Sequence, residues 1–191
     1  MEPLQHDIFK KRRMRRTRFI WLSMAVGMAF HFSIASAAEL MKISLKWEYK
    51  DFAPQITIHE PKGTAPLWSM GNVKDESDAP IGALIKGDTI LMAKGSTRKL
   101  VLAVRNDTGE PIFFFAAPHF MSPPEGALGF KFKCLCVNHA FKIDPGKTWF
   151  RVVELRASEH VMGNELAVTH AIVGLERSRA EDFILGKRAE P

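Results

Sequence analysis

From Leu40 onward, no apolar run continues for long before a strong turn signal interrupts it. The breakers are Pro61-Lys62-Gly63, Lys94-Gly95-Ser96, Asn106-Asp107-Thr108-Gly109, Ser122-Pro123-Pro124 and Asp144-Pro145-Gly146. Gly supplies positive φ, Pro presets φ, and Asn and Asp bond their own backbone, so such clusters end regular structure. Between them lie segments rich in Val, Ile, Phe, Thr and Trp, which suit a pleated, half-buried surface. Eight read as strands: 41–49, 55–60, 89–93, 99–106, 111–116, 130–137, 148–155 and 166–173. Helical periodicity is confined to part of 156–166 and to 177–185. This cadence predicts an all-β domain over 38–185: an antiparallel β-sandwich of about seven to eight strands. Residues 63–88, rich in Gly, Pro and Asp, read as a long irregular connection, and 186–191 as a polar tail.

The first 37 residues are of another kind. Seven Lys and Arg fall between positions 10 and 18, an apolar run covers 19–35, and Ala35-Ser36-Ala37 has the A-x-A form of a cleavage site. Basic region, apolar region and small-residue site make a secretory signal peptide. The same segment, left uncleaved, would be a single apolar helix anchoring the chain in a membrane. Either way the basic end stays in the cytoplasm and the domain is exported to the periplasm or faces it. This segment also explains the net charge of +6. Removing its seven bases and two acids from the totals of 27 and 21 leaves 20 and 19. The domain is thus nearly neutral, and no nucleic-acid partner is implied.

Both cysteines fall in G-F-K-F-K-C-L-C-V-N-H. If the strand runs through 130–137, Phe130, Phe132, Cys134 and Cys136 share one face. The two thiols then lie side by side and point the same way, which suits a disulfide poorly. Paired thiolates do suit Cu(I), a soft ion that accepts few ligands. Zinc asks for four ligands, and the chain has two cysteines. His139, His119 and Met121 are close enough in sequence to complete a site. The competing reading is that the cysteines are core, since cysteine is among the most buried residue types. A disulfide between two chains is a further possibility. Unpaired thiols in an oxidising compartment favour burial, bridging or metallation.

The remaining histidines carry less. His160 and Met162, in E-H-V-M-G, are weak candidates for copper-seeking side chains on a loop. His170 lies inside an apolar strand and reads as a satisfied interior histidine. His59 reads as a strand surface residue. No G-x-S-x-G, H-E-x-x-H, phosphate-binding Gly loop or Rossmann fingerprint occurs, so no enzyme is expected. A cysteine nucleophile beside His139 is the enzymatic alternative, but a strand-borne Cys-x-Cys lacks the helix N-terminus that activates a thiolate.

The stretch from Val104 to Val153 resembles the copper-delivering cytochrome c oxidase assembly factors of the CtaG family. Their C-F-C-F motif follows an N-x-(S/T) strand end and a proline-containing loop, and precedes a P-G turn. Asn106, Pro123, Cys134, Cys136 and Pro145-Gly146 fall in that order. Here C-F-C-F is C-L-C-V, the expected Glu-Gln pair is Asn138-His139, and the membrane-proximal cysteine and V-P-L-Y segment are absent. The resemblance is that of a divergent relative. It implies an immunoglobulin-like sandwich behind one N-terminal helix, with Cu(I) held by Cys134 and Cys136, in some cases across a homodimer. It also implies transfer by ligand exchange to a copper-accepting protein such as a terminal oxidase subunit. Two other readings stand beside it. Cys136-x-x-His139 with His119 is similar to the ligands of a cupredoxin used in electron transfer or copper storage. A sandwich without metal, using its cysteines as core, would be an interaction module.

Overall fold

A computed structural model describes residues 38–137 and 139–184. The expected N-terminal helix of 1–37 and the tail of 186–191 lie outside the described residues. The alternating segments form twelve strands: β1 (Leu40–Lys50), β2 (Thr57–Pro61), β3 (Met70–Val73), β4 (Ile81–Leu84), β5 (Thr89–Ala93), β6 (Thr97–Arg105), β7 (Ile112–Ala116), β8 (Phe120–Ser122), β9 (Phe130–Lys133), β10 (Phe141–Ile143), β11 (Thr148–Ala157) and β12 (Glu165–Leu175). Among the described residues, one α-helix, α1 (Arg177–Ile184), follows where helical periodicity was expected. Residues 158–164 are a turn and not helical. Among the described residues, no helix is long and apolar enough to cross a membrane.

The strands make two six-stranded sheets. One has the order β10-β7-β12-β1-β5, with β8 also on β12. The other has the order β3-β11-β6-β2-β4, with β9 also on β11. Four strands were not foreseen. β3 and β4 lie inside the expected irregular connection, and β8 and β10 have three residues each. Elements this short show no periodicity to read.

The expectation of an antiparallel arrangement is corrected at one pair. β1 runs parallel to β12, with Lys42 opposite Glu165 through Lys50 opposite Val173. Parallel neighbours need a long connection, and the whole intervening chain supplies it. Alternation of apolar residues says which face a side chain takes, not which direction the neighbour runs.

One core joins the sheets. β1 contributes Met41, Ile43 and Leu45, and β12 contributes Leu166, Val168 and Ile172. From the other sheet come Ile58, Leu100, Leu102, Val104, Trp149, Val153 and Leu155. A second cluster covers the outer face of that sheet. There Val101, Ala103, Phe150 and Val152 meet Ala65, Ala79 and Ile81 from the 63–88 segment. Burial on both faces explains why β6 and β11 read as nearly continuous apolar runs.

Asn106 ties three segments together at the end of β6. Its side chain is fully buried. Nδ2 donates to the carbonyls of Glu110 (2.9 Å), Ile143 (3.1 Å) and Asp144 (3.3 Å), and Oδ1 accepts from the Thr108 N–H (2.9 Å) and hydroxyl (2.7 Å). It therefore pins the exit of β10, the strand that follows the loop carrying the cysteines. Asn106→Ala would strand the buried Ile143 carbonyl and the partly buried carbonyls of Glu110 and Asp144. Urea denaturation should show unfolding free energy lowered by about 3 kcal/mol with an unchanged slope.

Candidate metal centre

The strand expected over 130–137 ends at Lys133. The reason is topological: β9 belongs to one sheet and β10 to the other, so the chain must leave the ladder to cross between them. It does so through tight turns, with Val137 N–H donating to the Leu135 carbonyl and His139 N–H to the Val137 carbonyl, both at 2.7 Å. These three-residue turns replace the strand geometry. The thiols are therefore not held parallel along a strand face with Phe130 and Phe132. They converge: the Cys134 thiol donates to the Cys136 sulfur at 2.9 Å, and the Cys136 N–H donates to the Cys134 sulfur at 3.3 Å. Both cysteines are free.

His119 arrives from a bulge. β7 pairs with β12 as far as Ala116 opposite Ile172, and β8 resumes with Phe120 opposite Thr169. Ala117, Pro118 and His119 thus oppose only His170 and Ala171. The extra residue breaks the ladder at a proline, as Pro requires, and re-aims the side chain. His119 Nδ1 lies 3.1 Å from the Cys136 sulfur and 3.3 Å from that of Cys134.

The fourth member is His170. It occupies the inward row of β12, in phase with Leu166, Val168 and Ile172, and is 0% exposed. Its ring lies 4.9 Å from that of His119 and 5.1 Å from Trp47, with Phe132 edge-on at 5.4 Å. The reading of an interior histidine holds, but the reading of a satisfied one does not. Neither ring nitrogen has a hydrogen-bond partner, nor has Nε1 of neighbouring Trp47. A buried polar atom left unpartnered costs about 1–3 kcal/mol. One donor atom from each of His119, Cys134, Cys136 and His170 lies within 4.8 Å of all the others. An ion holding sulfur at about 2.3 Å and nitrogen at about 2.0 Å spans this group with little adjustment.

The protonation states suit a cation. The Cys136 thiol is pulled well below the ordinary range, first by the hydrogen bond from Cys134 and then, against burial, by His119 and His170. Cys134 is pushed up by donating that bond and by burial. The hydrogen bond thus favours a thiolate at Cys136 over one at Cys134. Burial lowers the pKa of His170, and although the Cys136 sulfur opposes this, the ring stays neutral. A thiolate and a neutral imidazole are the forms that bind metals.

Of the other expected residues, His139, His160 and Met162 are elsewhere. His139 packs edge-on against Phe141 at 5.5 Å and lines a groove with Met70, Asn72 and Trp149, outside the four-residue group. Met121 is half-buried on β8 against the core. His160 and Met162 are exposed on the turn before β12. His59 bonds the Gly82 carbonyl and the Thr57 hydroxyl. The residue missed as a candidate was His170. Its signal was a histidine at the inward phase of L-x-V-x-H-x-I. That second imidazole also removes the objection to zinc based on ligand number, because two cysteines and two histidines make four donors.

Below its ordinary value of 6.5, the unfolded chain takes up a proton on His170 that the folded chain resists. The stability contributed by the neutral ring is therefore present above pH 6.5 and is lost as pH falls through the lowered folded value. The melting temperature of the reduced, metal-free chain should drop on acidification from about pH 6.5. His170→Phe should drop less over the same interval.

No curated protein matches the chain. The family model described as a domain of unknown function (DUF8709) matches residues 41–175. That span runs from β1 through β12 and includes all four residues of the group, and the chain belongs to this family.

Proposed function

We propose that the protein is an exported metal-binding protein that holds Cu(I) at Cys134, Cys136, His119 and His170 and passes it on by ligand exchange. On this reading it is a divergent relative of the CtaG-type assembly factors, with an immunoglobulin-like sandwich and a copper-accepting partner such as a terminal oxidase subunit. The observation that carries the proposal is the fully buried imidazole of His170, with both nitrogens unpartnered, beside two cysteine sulfurs 2.9 Å apart. Exposure is uneven across the group. Cys134 and His170 are buried, while Cys136 and His119 are half-exposed. An incoming thiol or imidazole would meet Cys136 and His119 first, as exchange requires. Thiolates favour Cu(I) by softness, and loading would displace thiol protons.

The donor set favours a second reading. Two cysteines and two histidines also fit a resident, tetrahedral zinc ion. The reduced full chain, titrated anaerobically with Cu(I) against a colorimetric chelator, should take up one ion. The Cys134→Ser/Cys136→Ser variant should take up none, His170→Phe should bind at least about tenfold more weakly, and His139→Ala should bind like the parent. Absence of Cu(I) uptake by the parent overturns the proposal. Zinc that equimolar Cu(I) fails to displace selects the second reading.

A further inference from the structure

Arg151 is a buried cation that nothing above uses. It sits on the inward row of β11, in phase with Trp149, Val153 and Leu155, and is 6% exposed. Among the described residues, no carboxylate lies within ion-pair reach of it; Glu154, on the same strand, is paired with Lys133 at 2.8 Å. Its Nε has no partner, and among the described residues the acceptor it reaches is the Met70 sulfur, 3.6 Å from Nη1. A thioether is a weak acceptor. The guanidinium carbon lies 4.8 Å over the Trp68 ring and 5.3 Å over that of Phe141. Trp68 is held there by a backbone at φ 71°, in the left-handed region that bulky residues avoid, with its N–H on the Val152 carbonyl at 3.2 Å. Aromatic faces stabilise a desolvated cation, but they are poor substitutes for acceptors at its N–H donors. For packing alone, an apolar side chain of similar volume would usually do as well or better.

Met70 and Phe141, which touch the guanidinium, also line a groove with Asn72, His139, Lys142 and Trp149. It lies where β3 and β10, edge strands of the two sheets, approach each other. Asn72 ties the two edges together: its Nδ2 donates to the Lys142 carbonyl at 3.1 Å, and its Oδ1 accepts from the Asp144 N–H at 3.0 Å. Arg151 stands opposite Met70 across the β3–β11 ladder, as Trp149 stands opposite Asn72. The guanidinium therefore sits at the other end of the groove, behind the Met70 thioether. Met70 is exposed, and its unbranched side chain can swing aside. We propose that this groove binds a small organic carboxylate, whose oxygens replace the Met70 sulfur at Arg151 and whose apolar body lies against Phe141 and Trp149. The planar guanidinium fork matches a carboxylate. Lys142 is already paired with Asp144 at 3.0 Å, so the charge left to be met is that of Arg151, and a monoanion suits it better than phosphate. A groove of about 240 Å³ is smaller than the sites of drug-sized ligands and admits a short chain or a single ring. The inference stands apart from the metal reading, since none of the four donor residues lines the groove.

The test titrates the reduced, metal-free full chain with hexanoate, with hexanamide as its uncharged twin and inorganic phosphate as a second anion. Tryptophan fluorescence is the readout, since Trp149 lines the groove and Trp68 covers Arg151, and calorimetry gives the stoichiometry. The parent should bind one hexanoate with a Kd below about 10 mM, and hexanamide and phosphate at least about tenfold more weakly. Arg151→Met keeps volume and removes the charge. It should bind hexanoate at least about tenfold more weakly while melting at the same temperature or higher. A merely structural arginine would not separate the two readouts in that way. Hexanoate affinity unchanged in Arg151→Met, hexanoate bound no more tightly than hexanamide, or phosphate bound as tightly as hexanoate, each overturns the inference. Should Arg151→Met not fold, the comparison of hexanoate with hexanamide in the parent decides alone.

Discussion

A strand hydrogen-bonded along both edges cannot shift to find its side chains new partners. β12 is such a strand, with β1 on one side and β7 and β8 on the other. Whatever faces inward from it stays where the ladder puts it. Position 170 faces inward, and the residue there is an imidazole among Trp47, His119 and Phe132 rather than an aliphatic side chain. Its nitrogens can be satisfied only by something brought to them. The bulge at Ala117–His119 and the turn after Lys133 bring a second imidazole and two sulfurs. Both departures from regular pairing therefore serve the same point in the fold, as such irregularities often do next to functional sites.

The parts of this arrangement that were legible in the sequence are those written in local chemistry. Turn residues such as Asp144-Pro145-Gly146 and the β-branched runs of β6 and β11 announced their elements close to the observed bounds. So did the polar signature of Asn106 at a strand end, whose five side-chain hydrogen bonds explain the residue chosen there. Cys134 and Cys136 stood out by type, and His119 by proximity to them. His170 did not, because 34 residues separate it from Cys136 and only the pairing of β12 with β7 and β8 brings it near. A single strand's alternation records its faces and not its neighbours. For the same reason the termination of β9 was hidden: Cys134 and Leu135 continue an apolar pattern that the change of sheet interrupts.

Donor count alone does not choose the ion. Four donors would accept several ions, since softness and geometry overlap for Cu(I) and Zn(II). What distinguishes ions of different charge is the field they enter. A nearly neutral domain that buries Cys134 and His170 presents that field in an interior where charge is weakly screened.

The parallel pairing of β1 with β12 has a consequence for the order of events during folding. These are the first and last strands of the domain, and their contact closes nearly the whole chain into one loop. Contacts of such sequence separation form late, because the entropy of closure must be met before they contribute. As the chain emerges from synthesis N-terminus first, β1 has no partner on that edge until residue 165 and beyond arrive. His170 travels with that final strand. The thiol pair can therefore exist, exposed and without its buried imidazole, in every partly folded form that lacks β12, and the complete four-donor group is reserved to the finished fold.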